Sequence, residues 1–342
     1  MTEEGPAGLD LRSLSGYLGT PVSASLIPGG RSNLTYYLTA GGEELVLRRP
    51  PLGHVLATAH DMGREFRVIS ALAATPVPVP ETVRFCPDET VIGAPFYLMR
   101  RVDGAVFRDK AQTDPLGAER RRDLAYAMMD TLAALHSVKP DDVGLGDFGR
   151  PDGFLARQVK RWSGQLDRSR SRPLPDVDAL RDRLAATIPV TAGPGAIVHG
   201  DYRLDNLIVA TDGSAIRAVL DWEMATLGDP LADLGLLLTY WDVLGGPAAA
   251  GAAGVVSTGL GPRAGFPSGA DLIARYVAAG GVDVGPLDWH VALGCFKLAV
   301  ISEGIYYRYT LGQTVGEGFE RFADMAAPLT AYGLAALASV EG

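Results

Sequence analysis

Apolar positions recur along this chain in two rhythms, and the change between them divides it. After a helix predicted over about residues 8–19, "ASLIPGGRSNLTYYLTAGGEELVLRRP" alternates β-prone residues around two glycine-rich turns and reads as three strands. In "TAHDMGREFRVISALAAT" the positions Met62, Phe66, Ile69 and Ala73 follow a three-to-four spacing, which predicts a helix closed by Pro76, Pro78 and Pro80. Two further strands follow, in "ETVRFCP" and "APFYLMRRV". From about residue 115 the rhythm becomes helical: "ERRRDLAYAMMDTLAALHSV" aligns Leu124, Met128, Thr131 and Leu135 on one face. Further helices are predicted over 152–168, 176–186, 231–244, 269–280, 286–312 and 315–338. Two strand-like runs that end in polar residues interrupt them, "IVHGDYRLDNLIV" and "IRAVLDWEMATLGDP". The pattern predicts an α+β chain: a small β-rich unit with one main helix over 1–102, and a larger, mostly helical unit over 103–342.

At 342 residues, 47% apolar and 21% charged, the chain has the composition of a soluble globular protein with room for two cores. The first residues carry early acids and no long apolar run, unlike a secretory leader. The most apolar tract, "LADLGLLLTYWDVLGG", is too short and too often broken by Asp for a membrane span. Cys86 and Cys295 lie far apart without metal-like spacing, which fits a reducing cytoplasm. Charge changes the picture more. Residues 200–342 hold 16 Asp/Glu against 7 Lys/Arg, whereas residues 1–199 hold 24 of each, so the net −9 belongs to the C-terminal part. An acidic excess argues against nucleic-acid binding, which needs a basic face. The pattern sets no oligomeric state.

The chemistry gathers after two strands. One cluster is His199-Gly200-Asp201 with Asn206 five residues beyond the aspartate; the other is Asp221-Trp222-Glu223. Each could be simple turn punctuation. Together they offer what transfer of a phosphoryl group from Mg·ATP requires: a carboxylate near the attacking hydroxyl and oxygen ligands for Mg²⁺. Gly29-Gly30-Arg31-Ser32-Asn33 offers a loop that phosphates can approach. The pair "HGDYRLDN" and "LDWE", twenty residues apart from Asp201 to Asp221, resembles the aminoglycoside phosphotransferase superfamily, whose fold is similar to that of protein kinases. "LRRPPLG", "AHDMGREFRVISAL", "VPVP", "LDWEMATLGDPLADLG" and "EGIYYRY" resemble one branch, the kinase-like domains fused to acyl-CoA dehydrogenases and their free-standing bacterial relatives.

The resemblance implies a bilobal protein-kinase-like fold that uses ATP and Mg²⁺, with Asp201 as catalytic base and Asn206 and Asp221 as metal ligands. His199 becomes a scaffold residue, and Arg203 a candidate for the γ-phosphate or for the solvent-facing surface. Gly30, Ser32 and Asn33 fall in the phosphate loop. Arg48 stands where kinases have a lysine, with Glu65 as its helix partner, while Arg49 should point to the opposite face of the strand. Residues 98–102 would form a hinge, with backbone groups of Met99 to Arg101 meeting adenine. Asp229 and Asp233 should act structurally, as a cap and as an acceptor for backbone near the catalytic loop. Glu223 in place of a glycine, and no A-P-E beyond it, favour a small-molecule kinase over a protein kinase. The acceptor is less legible. A basic run, Arg157, Lys160, Arg161, Arg168, Arg170 and Arg172, is either a solvated face or a contact for an anionic substrate such as a CoA thioester. Glu303, Tyr306 and Arg308 are placed on a late helix facing the acceptor or forming its rim. The resemblance favours a hydroxyacyl-CoA or similar hydroxylated metabolite; an aminoglycoside or amino-alcohol is the alternative, and a nucleotide-binding pseudokinase the further one.

Overall fold

A computed structural model describes residues 5–28, 33–52, 60–190, 195–245, 259–314 and 317–340. In chain order its elements are α1 (Leu11–Leu18), β1 (Val22–Leu26), β2 (Leu34–Ala40), β3 (Glu43–Arg49), α2 (Met62–Leu72), β4 (Thr82–Cys86) and β5 (Phe96–Arg100). Then come α3 (Lys110–Thr113), α4 (Gly117–Ser137), α5 (Phe154–Ser169), α6 (Pro175–Ala186), β6 (Ala196–Val198) and β7 (Leu207–Val209). The last are β8 (Ile216–Val219), β9 (Thr226–Gly228), α7 (Leu231–Leu238), α8 (Gly269–Ala278), α9 (Asp288–Thr310) and α10 (Ala326–Val340). The chain divides into two units, Met1–Gly104 with Arg217–Ala225, and Ala105–Ile216 with Thr226–Gly342. Residues 217–225 therefore fall with the first unit.

The first unit is built on an antiparallel sheet of order β1-β2-β3-β5-β4. Alternation decides its faces: Tyr36, Leu38 and Ala40 of β2 are buried while Tyr37 and Thr39 are exposed. Gly41 and Gly42, both at positive φ (60° and 85°), close the β2–β3 hairpin, a conformation that side chains with a Cβ resist. Leu14 of α1 packs with Tyr36, Leu38, Leu45, Leu47, Phe96 and Leu98 in one apolar cluster. Both helices start at an aspartate cap: Asp10 accepts from the N–H groups of Arg12 and Ser13, and Asp61 from that of Arg64.

The second unit is organised by α9, which is buried from Trp289 through Val300 and packs against α5, α6, α7 and α10. A helix apolar on nearly every side can only be an interior element. Its approach to α7 is close because Gly235 has no side chain; a Cβ there would lie 2.4 Å from the backbone carbon of His290. The predicted helix over 231–244 is α7 followed by a π-helical turn at Thr239–Leu244. The expectation of one helix over 315–338 needs correction. A 3₁₀ turn at Phe319–Asp324 precedes α10, whose first turn contains Pro328. Proline has no N–H to give to a preceding carbonyl, so it starts a helix here and does not continue one.

Gly235→Ala is expected to destabilise the protein by about 1–3 kcal/mol, the usual cost of overpacking a close helix crossing. Urea unfolding should show a lower midpoint with an unchanged slope.

Candidate functional site

In the first unit, strand alternation sends adjacent arginines to opposite faces, as the sequence implies. Arg49 bonds the carbonyls of Gly8 and Ile92, the latter at 2.9 Å. Arg48 turns toward α2 and the segment after β8. Its Nε lies 2.9 Å from Glu65 Oε2, one Nη pairs with Asp221, and Glu223 stands 3.8 Å away. Glu65, only 2% exposed, also accepts from Tyr97 Oη at 3.0 Å and from Asn33 Nδ2 at 3.1 Å. Asn33 Nδ2 reaches Glu223 Oε2 at 3.0 Å, and His60 Nδ1 meets Asn33 Oδ1 at 2.7 Å. Burial alone would lower the Arg48 pKa, but Glu65, Asp221, Tyr97 and Glu223 more than offset it and hold the guanidinium charged. Burial raises the Glu65 carboxyl, and Arg48 opposes that rise. A planar guanidinium suits this place because one fork can bridge two carboxylates, which an ammonium does less directionally.

Asp221 itself is unusual. Among the described residues it is the only non-glycine at positive φ, 65°, a left-handed conformation costing about 1–2 kcal/mol. The turn is held on both sides: Val219 N–H donates to the Pro78 carbonyl at 2.8 Å, and Trp222 Nε1 donates to the Val219 carbonyl at 3.0 Å. Met99 is buried in β5 opposite Val46 and Thr82. The Arg101 backbone N–H donates to the Glu44 carbonyl at 3.2 Å, while its guanidinium pairs with Glu44 and lies over Tyr37. Gly30 and Ser32 lie outside the described residues.

In the second unit, the turn after β6 is fixed by one buried carboxylate. Asp233 of α7, 1% exposed, accepts from the backbone N–H groups of His199 and Gly200, each at 2.7 Å. His136 Nε2 of α4 lies 3.2 Å from the same carboxylate, and its Nδ1 lies 2.8 Å from Tyr276 Oη of α8. Burial pushes Asp233 upward, but His136, His199 and the backbone donors outweigh it and hold the carboxyl below its ordinary value. Asp229 accepts from the Leu231 N–H at 2.9 Å, at the start of α7. The Asp201 N–H donates to His199 Nδ1 at 3.2 Å. Asn206 Nδ2 reaches the Asp201 carbonyl at 2.9 Å and its Oδ2 at 3.2 Å, which closes the loop on itself. The other carboxylate oxygen, Oδ1, is buried and accepts no hydrogen bond. Arg203 ion-pairs with Asp205 and lies 4.3 Å above the Tyr240 ring, on the π-helical turn.

Some participants were not singled out in the sequence. Lys297 of α9, 7% exposed, donates to the Gly200 carbonyl at 2.6 Å. Its only signal is a lone charge inside "VALGCFKLAVI". His136 and Tyr240 carry no local signal, since their partners are 97 and 37 residues away. Glu303, expected on a helix that faces the acceptor or forms its rim, is fully buried and accepts from Ser171 Oγ at 2.6 Å and Arg172 Nε at 3.2 Å. Three members of the basic run are likewise engaged within the protein: Arg170 on Asp178, Arg157 on the carbonyls of Arg150 and Asp152, and Arg172 on Glu303.

A five-stranded unit with one main helix, followed by a helical unit with this turn, is the kinase-like fold. The chain belongs to the phosphotransferase enzyme family, whose profile matches residues 23–266. It is 36% identical over 334 residues to acyl-CoA dehydrogenase family member 11 of Gallus gallus, covering 94% of this chain and 42% of that one. The chain thus spans about two fifths of the length of such relatives. A candidate aminoglycoside phosphotransferase of Ralstonia eutropha superposes with a TM-score of 0.81 at 32% identity, covering 96% of this chain and 98% of the other. Aminoglycoside phosphotransferase APH(4)-Ia, in complex with ADP and hygromycin B, shares the fold at a TM-score of 0.59 and 16% identity, covering 97% and 99%. Among the described residues no helix is long and apolar enough to cross a membrane.

Because Asp233 has a folded-state pKa below its ordinary value of 3.8, its contribution to stability is full above that value and is lost as pH falls below it and through the folded-state pKa. Asp233→Asn should be less stable than the parent at pH 7, by about 1–3 kcal/mol for a buried N–H left without its acceptor. The gap should narrow as the pH of urea unfolding is lowered from 5 to 3. A constant gap would show that the Asp233 charge contributes nothing.

Proposed function

We propose that the chain transfers the γ-phosphate of ATP to a hydroxyl of a small molecule, preferably a hydroxyacyl-CoA or similar hydroxylated metabolite. The observation that carries the reading is Asp201 Oδ1: a buried carboxylate oxygen without a donor, on a turn that Asp233 and Asn206 hold in place. An acceptor that lacks a donor is costly to bury, and an incoming hydroxyl would satisfy it. Asp201 then orients the hydroxyl and takes its proton as the new oxygen–phosphorus bond forms and ADP departs. The resemblance to relatives that carry acyl-CoA dehydrogenase names supports the acyl-CoA class of acceptor.

Among the described residues no three His, Cys, Asp or Glu side chains are arranged to hold a metal unaided. That suits Mg²⁺ shared with a nucleotide, which usually needs one or two protein oxygens beside phosphate and water. Asn206 and Asp221 are those ligands in this reading. Their donor chemistry fits: one amide oxygen not engaged by the loop bonds of Nδ2, and one carboxylate fixed in a left-handed turn. Bound there, Mg²⁺ neutralises phosphate charge. Arg48 keeps a positive charge for the α- and β-phosphates, with Glu65 holding it in place. Residues 1–102 serve the nucleotide, with Gly30, Ser32 and Asn33 at the phosphates and Met99 to Arg101 at the base. Residues 103–342 serve the acceptor.

The test is ADP release with Mg·ATP against 4-hydroxyacyl-CoA, free hydroxy acids, aminoglycosides and choline-like amino-alcohols. Turnover with one class, reduced about 10²–10⁴-fold in Asp201→Asn, is expected. Equal ADP release by parent and variant with every acceptor would overturn the reading. Arg48→Met should raise the KM for ATP, and a KM unchanged in that variant would remove Arg48 from the nucleotide site.

A further inference from the structure

Arg203 lies two residues beyond Asp201 and is not the solvent-facing residue that its sequence position allows: its side chain is 19% exposed and that of its partner Asp205 14%. Asp205 takes the guanidinium edge-on, with Nε on Oδ1 and Nη2 on Oδ2. Tyr240 takes it face-on, with its ring centre 4.3 Å from the guanidinium carbon. Arg203, Asp205, Tyr240, Trp241 and Leu260 line one small pocket. A bidentate carboxylate and an aromatic face together leave the arginine little rotational freedom.

Tyr240 owes its place to α7. Asp233, in the first turn of that helix, accepts from the backbone of His199 and Gly200, and Tyr240 follows seven residues later, about two turns along on the same side. The π-helical turn Thr239–Leu244 that contains it is anchored on either side of the tyrosine. Thr239 Oγ1 donates to the carbonyls of Gly235 and of Val291 on α9, at 2.8 and 3.2 Å, and Trp241 Nε1 donates to the Pro267 carbonyl at 2.9 Å. Turns of this kind are rare and recur at functional sites. Burial and the charge of Asp201 push the Tyr240 hydroxyl well above its ordinary value, so it stays neutral and offers Arg203 a ring face. Arg203 feels the charge of Asp201 as well.

We infer that Tyr240 is a positioning residue for phosphoryl transfer: with Asp205 it holds Arg203 beside Asp201 as a fixed cation for the γ-phosphate. The inference rests on the phosphotransferase reading of Asp201 and deepens it. A hydroxyl bonded to the Asp201 carboxylate must come within about 3–3.5 Å of phosphorus before it reacts, so the oxygens of the transferred group pass close to a cation held next to Asp201. A guanidinium carries five N–H groups, and the fork on Asp205 uses one at Nε and one at Nη2, so the same cation can also serve a phosphate oxygen. Its orientation is set before the nucleotide arrives. It therefore meets phosphate without the entropy cost of ordering a long side chain.

Nucleotide binding tests this without any acceptor. Calorimetry in excess Mg²⁺ would compare ADP with the non-hydrolysable triphosphate AMP-PNP on the parent protein, Arg203→Met, Tyr240→Phe, Tyr240→Leu and the Arg203→Met/Tyr240→Leu pair. The parent is expected to bind AMP-PNP at least about tenfold tighter than ADP, the order of one charge-assisted hydrogen bond to phosphate. That preference should be lost in Arg203→Met and in Tyr240→Leu, persist in Tyr240→Phe, which keeps the ring face, and fall no further in the pair, with ADP affinity unchanged throughout. Equal weakening of ADP and AMP-PNP by Tyr240→Leu would show a merely structural tyrosine and overturn the inference. So would a preference that Tyr240→Leu leaves intact or that the pair reduces further. Arg203→Met leaves the ring in place, so an unchanged preference in that variant overturns the inference even if Tyr240→Leu fails to fold. Parent protein that binds both nucleotides equally would reject this inference alone, and parent protein that binds neither would reject the phosphotransferase reading with it.

Discussion

A carboxylate removed from water must be matched by donors, and in the second unit that requirement is met by the backbone of the His199–Gly200 turn. Asp233 sits at the meeting point of four chain segments: its own helix, the turn, α4 through His136 and, beyond His136, α8 through Tyr276. Each partner is buried or nearly so, so none can exchange its bond for water without loss. The position of Asp201 follows from this. Its backbone is held one residue after Gly200, Lys297 pins the intervening carbonyl, and Asn206 ties the loop from the other side. The second oxygen of its carboxylate, Oδ1, is buried and accepts no hydrogen bond.

The first unit solves the opposite problem, a buried cation. Arg48 is surrounded by Glu65, Asp221 and Glu223, and Asn33 and Tyr97 occupy further lone pairs of the two glutamates. Removing one member would leave its neighbours charged and dry, which costs far more than the pair contributes. The left-handed turn at Asp221 belongs to the same arrangement, since a strained backbone persists only where its surroundings over-determine it.

Much of the fold was legible because it is written in local periodicity. β-prone runs around glycine turns marked β2 and β3, three-to-four spacing marked α2 and α4, and a helix was expected over 286–312, where α9 lies. The α+β kinase-like class and the phosphotransferase family followed from those elements and from two short motifs. The motif spacing could convey only what lies within a loop, such as Asn206 closing on Asp201. It was silent where partners are remote in sequence. The burial of Glu303 in "SEGIYYRY" could not be read locally because its partners Ser171 and Arg172 lie more than 130 residues earlier. Lys297 was not singled out for the same reason, since Gly200 lies 97 residues earlier. The break before α10 was present as Pro328, whose effect depends on which turn of the helix it enters.

The way the chain crosses between units has a consequence for its synthesis. The first unit is encoded by 104 residues and then, after an interval of more than a hundred, by the short segment Arg217–Ala225. That segment carries Asp221 and Glu223, two of the three acids around Arg48. On the ribosome, the sheet can pair its strands while Arg48 still lacks those two counter-charges. The early domain must therefore wait, incompletely neutralised, for the late one to be translated. Contacts of such long sequence separation slow folding, and they also mean that cutting the chain after Gly104 would not yield an autonomous module. Interleaving of this kind makes the two halves inherit each other's mutations, so neither can be exchanged as a simple block.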